Sequence, residues 1–71
     1  MNKVRVLRKE KSLSQNEFAK LIGVSRQTIS SMENGGTPNF DTMNKIANYF
    51  GLSVDHIFFD SDVNHDLQKG V

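Results

Sequence analysis

Gly23-Val-Ser-Arg-Gln-Thr-Ile-Ser-Ser-Met-Glu-Asn34 is the stretch whose reading decides the fold. Ser25 is a natural helix N-cap, because its hydroxyl can accept from a first-turn amide that has no helical partner. Behind it, Ile29 and Met32 stand three apart on one helical face. Gln27 and Ser31 stand four apart on the opposite face, flanked by Thr28, Ser30 and Asn34, with Arg26 in the first turn. A solvated face usually carries Lys and Glu. This one carries side chains that both donate and accept hydrogen bonds, which is the chemistry that reads base edges in a duplex groove.

The residues just upstream complete a motif. Ser14-Gln15-Asn16-Glu17 has capping-box spacing, and a helix from there to about Ile22 places Phe18, Leu21 and Ile22 as its apolar residues. Gly23 follows where a left-handed residue is needed to end that helix. Val24 closes the corner, and small Ala19 leaves room for a crossing helix. Helix, glycine turn and steeply crossing second helix together make a helix-turn-helix.

Leu13 to Gly35, LSQNEFAKLIGVSRQTISSMENG, resembles the core of the Cro/C1-type (XRE) helix-turn-helix transcriptional regulators. The likeness extends back to Val4 and on to Phe58. It implies a compact all-α, five-helix DNA-binding domain over residues 1–59, with residues 60–71 as a tail or dimerisation arm. It further implies a sequence-specific regulator of double-stranded DNA, most simply a repressor acting as a homodimer on a two-fold symmetric operator. Arg26, Gln27, Thr28, Ser30 and Ser31 are the expected base-contacting residues. Gln15, Ser25, Asn34, Gly35 and Thr37 are expected at the phosphates, although Gln15 taken alone reads equally well as a solvated amide. The resemblance also implies that Arg8 pairs with Glu33; by itself, Arg8 also fits an arginine snorkelling from the core edge.

Composition sets the outer bounds. A chain of 71 residues makes one small domain, and its lack of Cys leaves no disulfide framework or thiolate metal site. No run is long and apolar enough for a membrane span or a signal peptide, so a cytoplasmic protein is expected. The net charge of +1 hides an asymmetry. Residues 1–34 hold seven Lys/Arg against three Glu, while residues 35–71 hold two Lys against five Asp. A basic first half suits a module that turns one side toward a polyanion. The two histidines, His56 and His65, lack metal-site spacing, and no Ser/His/acid set is forced together. No cofactor is implied and no enzyme is expected.

Elsewhere the reading is coarser. Val4, Leu7, Arg8 and Lys11 mark a first helix, and Leu13 staples the second. Asn34-Gly35-Gly36-Thr37-Pro38 is a loop, and no Lys or Arg stands between Met32 and Asn44, which limits its grip on phosphates. Asn39 or Asp41 caps a fourth helix with Met43, Ile46, Ala47 and Phe50 on its stripe, and Phe40 packs at its entry. Gly51 ends it. Leu52 leads to a short fifth helix capped by Ser53, with Val54, Ile57 and Phe58 apolar. Leu21 and Leu52 count toward the expected core, and no internal repeat is evident. Tyr49, Val54, Phe58, Phe59 and Val63 form the expected dimer interface, although a single exposed aromatic such as Tyr49 is also ordinary. A regulatory protein partner fits so short a chain. The competing function is a helix-turn-helix protein-binding module such as an antitoxin or adaptor, which would more often present aromatic or Met anchors on its docking helix.

Overall fold

The computed structural model describes residues 2–59. Among these the chain forms α1 (Val4–Glu10), α2 (Gln15–Ile22), α3 (Arg26–Glu33), α4 (Phe40–Phe50) and α5 (Val54–Phe58), with no strand. Residues 60–71, including Val63 and the expected tail, lie outside the described residues.

Side chains close to each start fix the helix boundaries. Ser14 accepts from the Glu17 amide while the Glu17 carboxylate accepts from the Ser14 amide, a complete capping box. Ser25, Asn39 and Ser53 cap α3, α4 and α5 through the amides of Thr28, Thr42 and His56. Asn39 is thus the α4 cap, and Asp41 lies in the first turn. α1 starts differently, with the Val4 amide donating to Asn2 Oδ1.

Four helices end in one way. An amide just beyond the helix donates back to a carbonyl five residues earlier: Leu13 to Arg8 (3.2 Å), Val24 to Ala19 (3.0 Å), Gly36 to Ser31 (2.8 Å) and Leu52 to Ala47 (3.0 Å). This closure needs a left-handed residue just before the donor. Gly23 supplies it at φ +88° after α2, whereas Ser12 supplies it at φ +60° after α1.

The core lies between α2, α4 and the inner faces of the other helices. Phe18, Ile29, Met32, Ile46, Ile57 and Val4 are fully enclosed, and Ala19 and Ala47 fill the crossings. Phe18 meets the rings of Phe50 and Tyr49 at 5.6 and 5.9 Å between centroids, joining α2 to α4. Three residues expected inside are outside: Leu21 is 55% exposed, Phe40 65% and Leu52 37%. Leu21 lies on an open cleft beside Lys45, Asn48 and Tyr49 of α4, and Phe40 is the first residue of its helix, so neither is closed over. Leu52 follows the last turn of α4 and faces water. Lys11 is not on an α1 stripe but sits beyond the helix as its C-cap.

The first residues are fastened to the last helix. The Lys3 amide donates to the Ile57 carbonyl at 3.0 Å and Lys3 Nζ to the His56 carbonyl at 3.1 Å, while Asn2 Nδ2 donates to Met32 O at 3.0 Å.

Candidate nucleic-acid interface

The Gly23 corner swings α3 across α2 so that Ile29, Met32 and Glu33 face inward. Gln27 and Ser31 occupy the middle of the outward face, Arg26 and Asn34 are exposed beside them, and Thr28 and Ser30 are half-buried at its edges. The Ser25 hydroxyl holds both the amide and the hydroxyl of Thr28, at 3.1 and 2.8 Å. Ser25 and Thr28 are therefore locked together as one polar ledge.

Seven of the ten expected site residues fall into two groups, and Ser30, Asn34 and Gly35 belong to neither. Ser25, Gln27, Thr28, Ser31 and Thr37 line one open cleft of about 300 Å³, together with Met32, Gly36 and Pro38. Its two walls are α3 and the loop that follows it. On the other side, Arg26 Nη1 donates to Gln15 Oε1 at 3.3 Å, and Gln15 Nε2 donates to Glu33 Oε1 at 3.2 Å. Gln15, expected at a phosphate, is thus held through Nε2 and Oε1 within the protein, and its amide keeps a second N–H beyond the one given to Glu33. The sequence reading missed this link, because residues 15, 26 and 33 meet only once the corner has closed.

Glu33 is the hub beneath the face. Arg8 Nε donates to its Oε2 at 2.7 Å and Arg8 Nη2 to its Oε1 at 3.0 Å, a two-pronged pair. Arg8 Nη1 reaches the Leu13 carbonyl at 2.7 Å, so the same guanidinium also fastens the α1–α2 turn. Arg5 adds a longer contact to Glu33 at 3.4 Å from a half-exposed position. The Glu33 side chain is fully enclosed and that of Arg8 is 9% exposed. Burial pushes the Glu33 carboxyl up, but the bonds from Arg8, Gln15 and Arg5 outweigh it, so the group titrates below the ordinary carboxylate range. The bond to Glu33 holds the Arg8 guanidinium above its usual range, against the opposing effect of burial.

A helix-turn-helix family model matches residues 4–57, which include all five helices except the last residue of α5. The chain belongs to the Cro/C1-type helix-turn-helix regulators. It is 36% identical over 66 residues to the cryptic phage CTXphi transcriptional repressor RstR of Vibrio cholerae, a match covering 92% of this chain and 60% of that protein. It is 40% identical over 62 residues to an HTH-type transcriptional regulator of Methanocaldococcus jannaschii, covering 86% of this chain and 94% of the relative. The HTH-type transcriptional activator BcrR of Enterococcus faecalis is 36% identical over 56 residues, 78% of this chain but 28% of that protein. This Cro/C1-type chain is accordingly a DNA-binding transcriptional regulator. No helix among its described residues is long and apolar enough to cross a membrane.

The expected interface residues occupy different environments. Tyr49 is 40% and Phe59 57% exposed, whereas Val54 and Phe58 are half-buried against the core and leave only an edge outward.

Proposed function

We propose that this regulator represses transcription by binding a two-fold symmetric operator as a homodimer, with α3 in the major groove of each half-site. The observation that carries the reading is the outward face of α3, where Gln27 and Ser31 lie exposed on a cleft that Ser25, Thr28 and Thr37 share with Met32, Gly36 and Pro38. Arg26 suits guanine O6/N7, Gln27 suits adenine N6/N7, and Ser31, Thr28 and Ser30 suit either class of edge. The Ser25 ledge, Asn34, Gly35 and Thr37 then lie along one backbone and Gln15 along the other, positioning the helix without selecting sequence.

Repression is the simplest action of a domain that occludes a promoter, and the relative RstR is named a repressor. Two copies are needed because no Lys or Arg stands between Met32 and Asn44, so each subunit has little cationic hold beside α3. Linking two weak events on one duplex recovers affinity. Tyr49 and Phe59, with the outer edges of Val54 and Phe58 and with Val63, supply the contact between copies.

Selection of bound duplexes from a random pool tests the class, the site and the half-site spacing together. A palindrome with half-sites about one helical turn apart, roughly 34 Å, is expected. A single asymmetric half-site refutes the dimer, and an unenriched pool refutes sequence-specific binding. Gln27→Ala is expected to relax preference at one base pair per half-site without lowering the melting temperature.

A further inference from the structure

We infer that Gly36 is a positioning residue for base reading: having no side chain, it lets the loop after α3 close against Ser31 and holds the Ser31 hydroxyl on the DNA-facing cleft. This role rests on the base reading proposed for Ser31 and adds a residue that itself touches no base.

The four like helix ends show why. In each, the residue at the closing amide lies beside the residue whose carbonyl it bonds. Leu13 is set against Arg8, Val24 against Ala19 and Leu52 against Ala47, each a large apolar residue at the closing position. After α3 the closing residue is Gly36, and the residue it meets is Ser31. Its bond to the Ser31 carbonyl, at 2.8 Å, is the shortest of the four. A Cβ placed on Gly36 would lie 2.5 Å from Ser31 Oγ and 2.9 Å from the Ser31 carbonyl oxygen. Gly36 is not needed for backbone conformation, since its φ lies outside the left-handed region; that demand falls on Gly35, at φ +105°. What position 36 requires is space. Any side chain there turns the Ser31 hydroxyl out of its place or lifts the loop away from the helix, and both change the cleft that Ser31, Gly36 and Thr37 share.

Charge alone predicts the reverse for one substitution. A Lys at position 36 would add a cation beside the phosphates of a chain poor in them, and on that count should tighten binding to every sequence. The steric conflict with Ser31 predicts weaker and less selective binding despite the added charge.

The test compares Gly36→Ala, Gly36→Lys, Ser31→Ala and the double variant Ser31→Ala/Gly36→Ala, using the duplex that the parent chain selects and a scrambled duplex of equal length. Gly36→Ala is expected to lose about tenfold in affinity for the selected duplex and little for the scrambled one. Its relaxed preference should fall at the same base pair as that of Ser31→Ala. The double variant should show no loss of preference beyond that of Ser31→Ala, because the hydroxyl is already gone, while any further uniform loss of affinity reports the methyl's approach to the Ser31 carbonyl. Gly36→Lys should lose selectivity at that same pair. A glycine that merely fills the turn predicts otherwise: Ala there trims unfolded-state freedom, so the variant would be as stable or more so and bind unchanged. Unchanged binding and preference in Gly36→Ala overturn the inference while leaving base reading by α3 intact. If Gly36→Ala fails to fold, Ser31→Ala alone decides: preference relaxed at one base pair supports the inference, and an unchanged preference overturns it. A parent chain that selects no sequence overturns both readings, and Arg26→Ala and Gln27→Ala, then without effect, mark that case.

Discussion

The corner between α2 and α3 and the corner between α4 and α5 are one piece of backbone used twice. Ala19-Lys-Leu-Ile-Gly23-Val-Ser25 and Ala47-Asn-Tyr-Phe-Gly51-Leu-Ser53 share an Ala at the helix crossing, a left-handed Gly, an apolar residue and a Ser cap. The match continues inward to Ile29 and Ile57, both enclosed four residues after their cap. This short internal repeat corrects the expectation of none: it stands in the spacing itself, and the two turns close alike. The second helices then differ. α3 runs eight residues, shows water Gln27 and Ser31, and is pinned from beneath through Glu33. α5 runs five residues and is closed by the Lys3 amide on Ile57 O. The corner determines only where a second helix goes; what that helix can do depends on its outward side chains and on what holds it from behind.

The support behind α3 is where this comparison breaks most sharply. Arg8→Ala strips Glu33 of its two-pronged partner and should cost about 3 kcal/mol, near the lower end for a broken buried pair because Arg5 and Gln15 still donate to the carboxylate. For a domain of this size that is a large part of its stability. Denaturant melts of Arg8→Ala, Glu33→Gln and the double variant should show coupling, and additive losses would mean that the pair contributes nothing jointly. Among the described residues, no enclosed carboxylate stands behind α5.

Acid attacks the same support. Because the Glu33 carboxyl is depressed in the folded state, its contribution is fully present above the ordinary carboxylate range, near pH 4, and is lost as the pH falls through the lower folded value. Arg8 stays charged throughout. The fall in melting temperature between neutral pH and about pH 3 should therefore be smaller in Glu33→Gln than in the parent chain. Equal slopes would assign the acid sensitivity to other carboxylates.

The glycines sharpen the likeness. A Cβ at Gly23 or at Gly51 meets nothing within 4 Å, so Ala at either place incurs only left-handed backbone strain, about 1–2 kcal/mol. Both single variants should lose similar melting temperature, and unequal losses would show that the two turns are not equivalent. The smallest effect runs the other way. Ser12 holds the same left-handed place after α1 without being glycine, so Ser12→Gly should stabilise by about 0.5–1 kcal/mol in a thermal melt.

What the sequence made legible was mostly what four consecutive residues decide. The caps at Ser14, Ser25, Asn39 and Ser53 and the turns at Gly23 and Gly51 stand in the structure as their spacing suggested. The meeting of Arg8 with Glu33 came from the family resemblance rather than from spacing, since residues 25 apart give no local sign of contact. Helix edges were the weak point. Leu21, Phe40 and Leu52 are as apolar as their buried neighbours, and nothing in their own spacing shows that they stay outside. The engagement of Gln15 with both Arg26 and Glu33 was likewise hidden, because it exists only when two helix starts and one helix end converge.

The fastening of Lys3 to Ile57 and of Asn2 to Met32 has a consequence for synthesis on the ribosome. A chain emerging N-terminus first presents α1, α2 and α3 long before α5, so the helix-turn-helix exists in outline while Lys3 still lacks the His56 and Ile57 carbonyls it binds. Asn2 can hold Met32 as soon as α3 has formed, whereas the clasp of Lys3 on α5 closes only after Ile57 has left the exit tunnel.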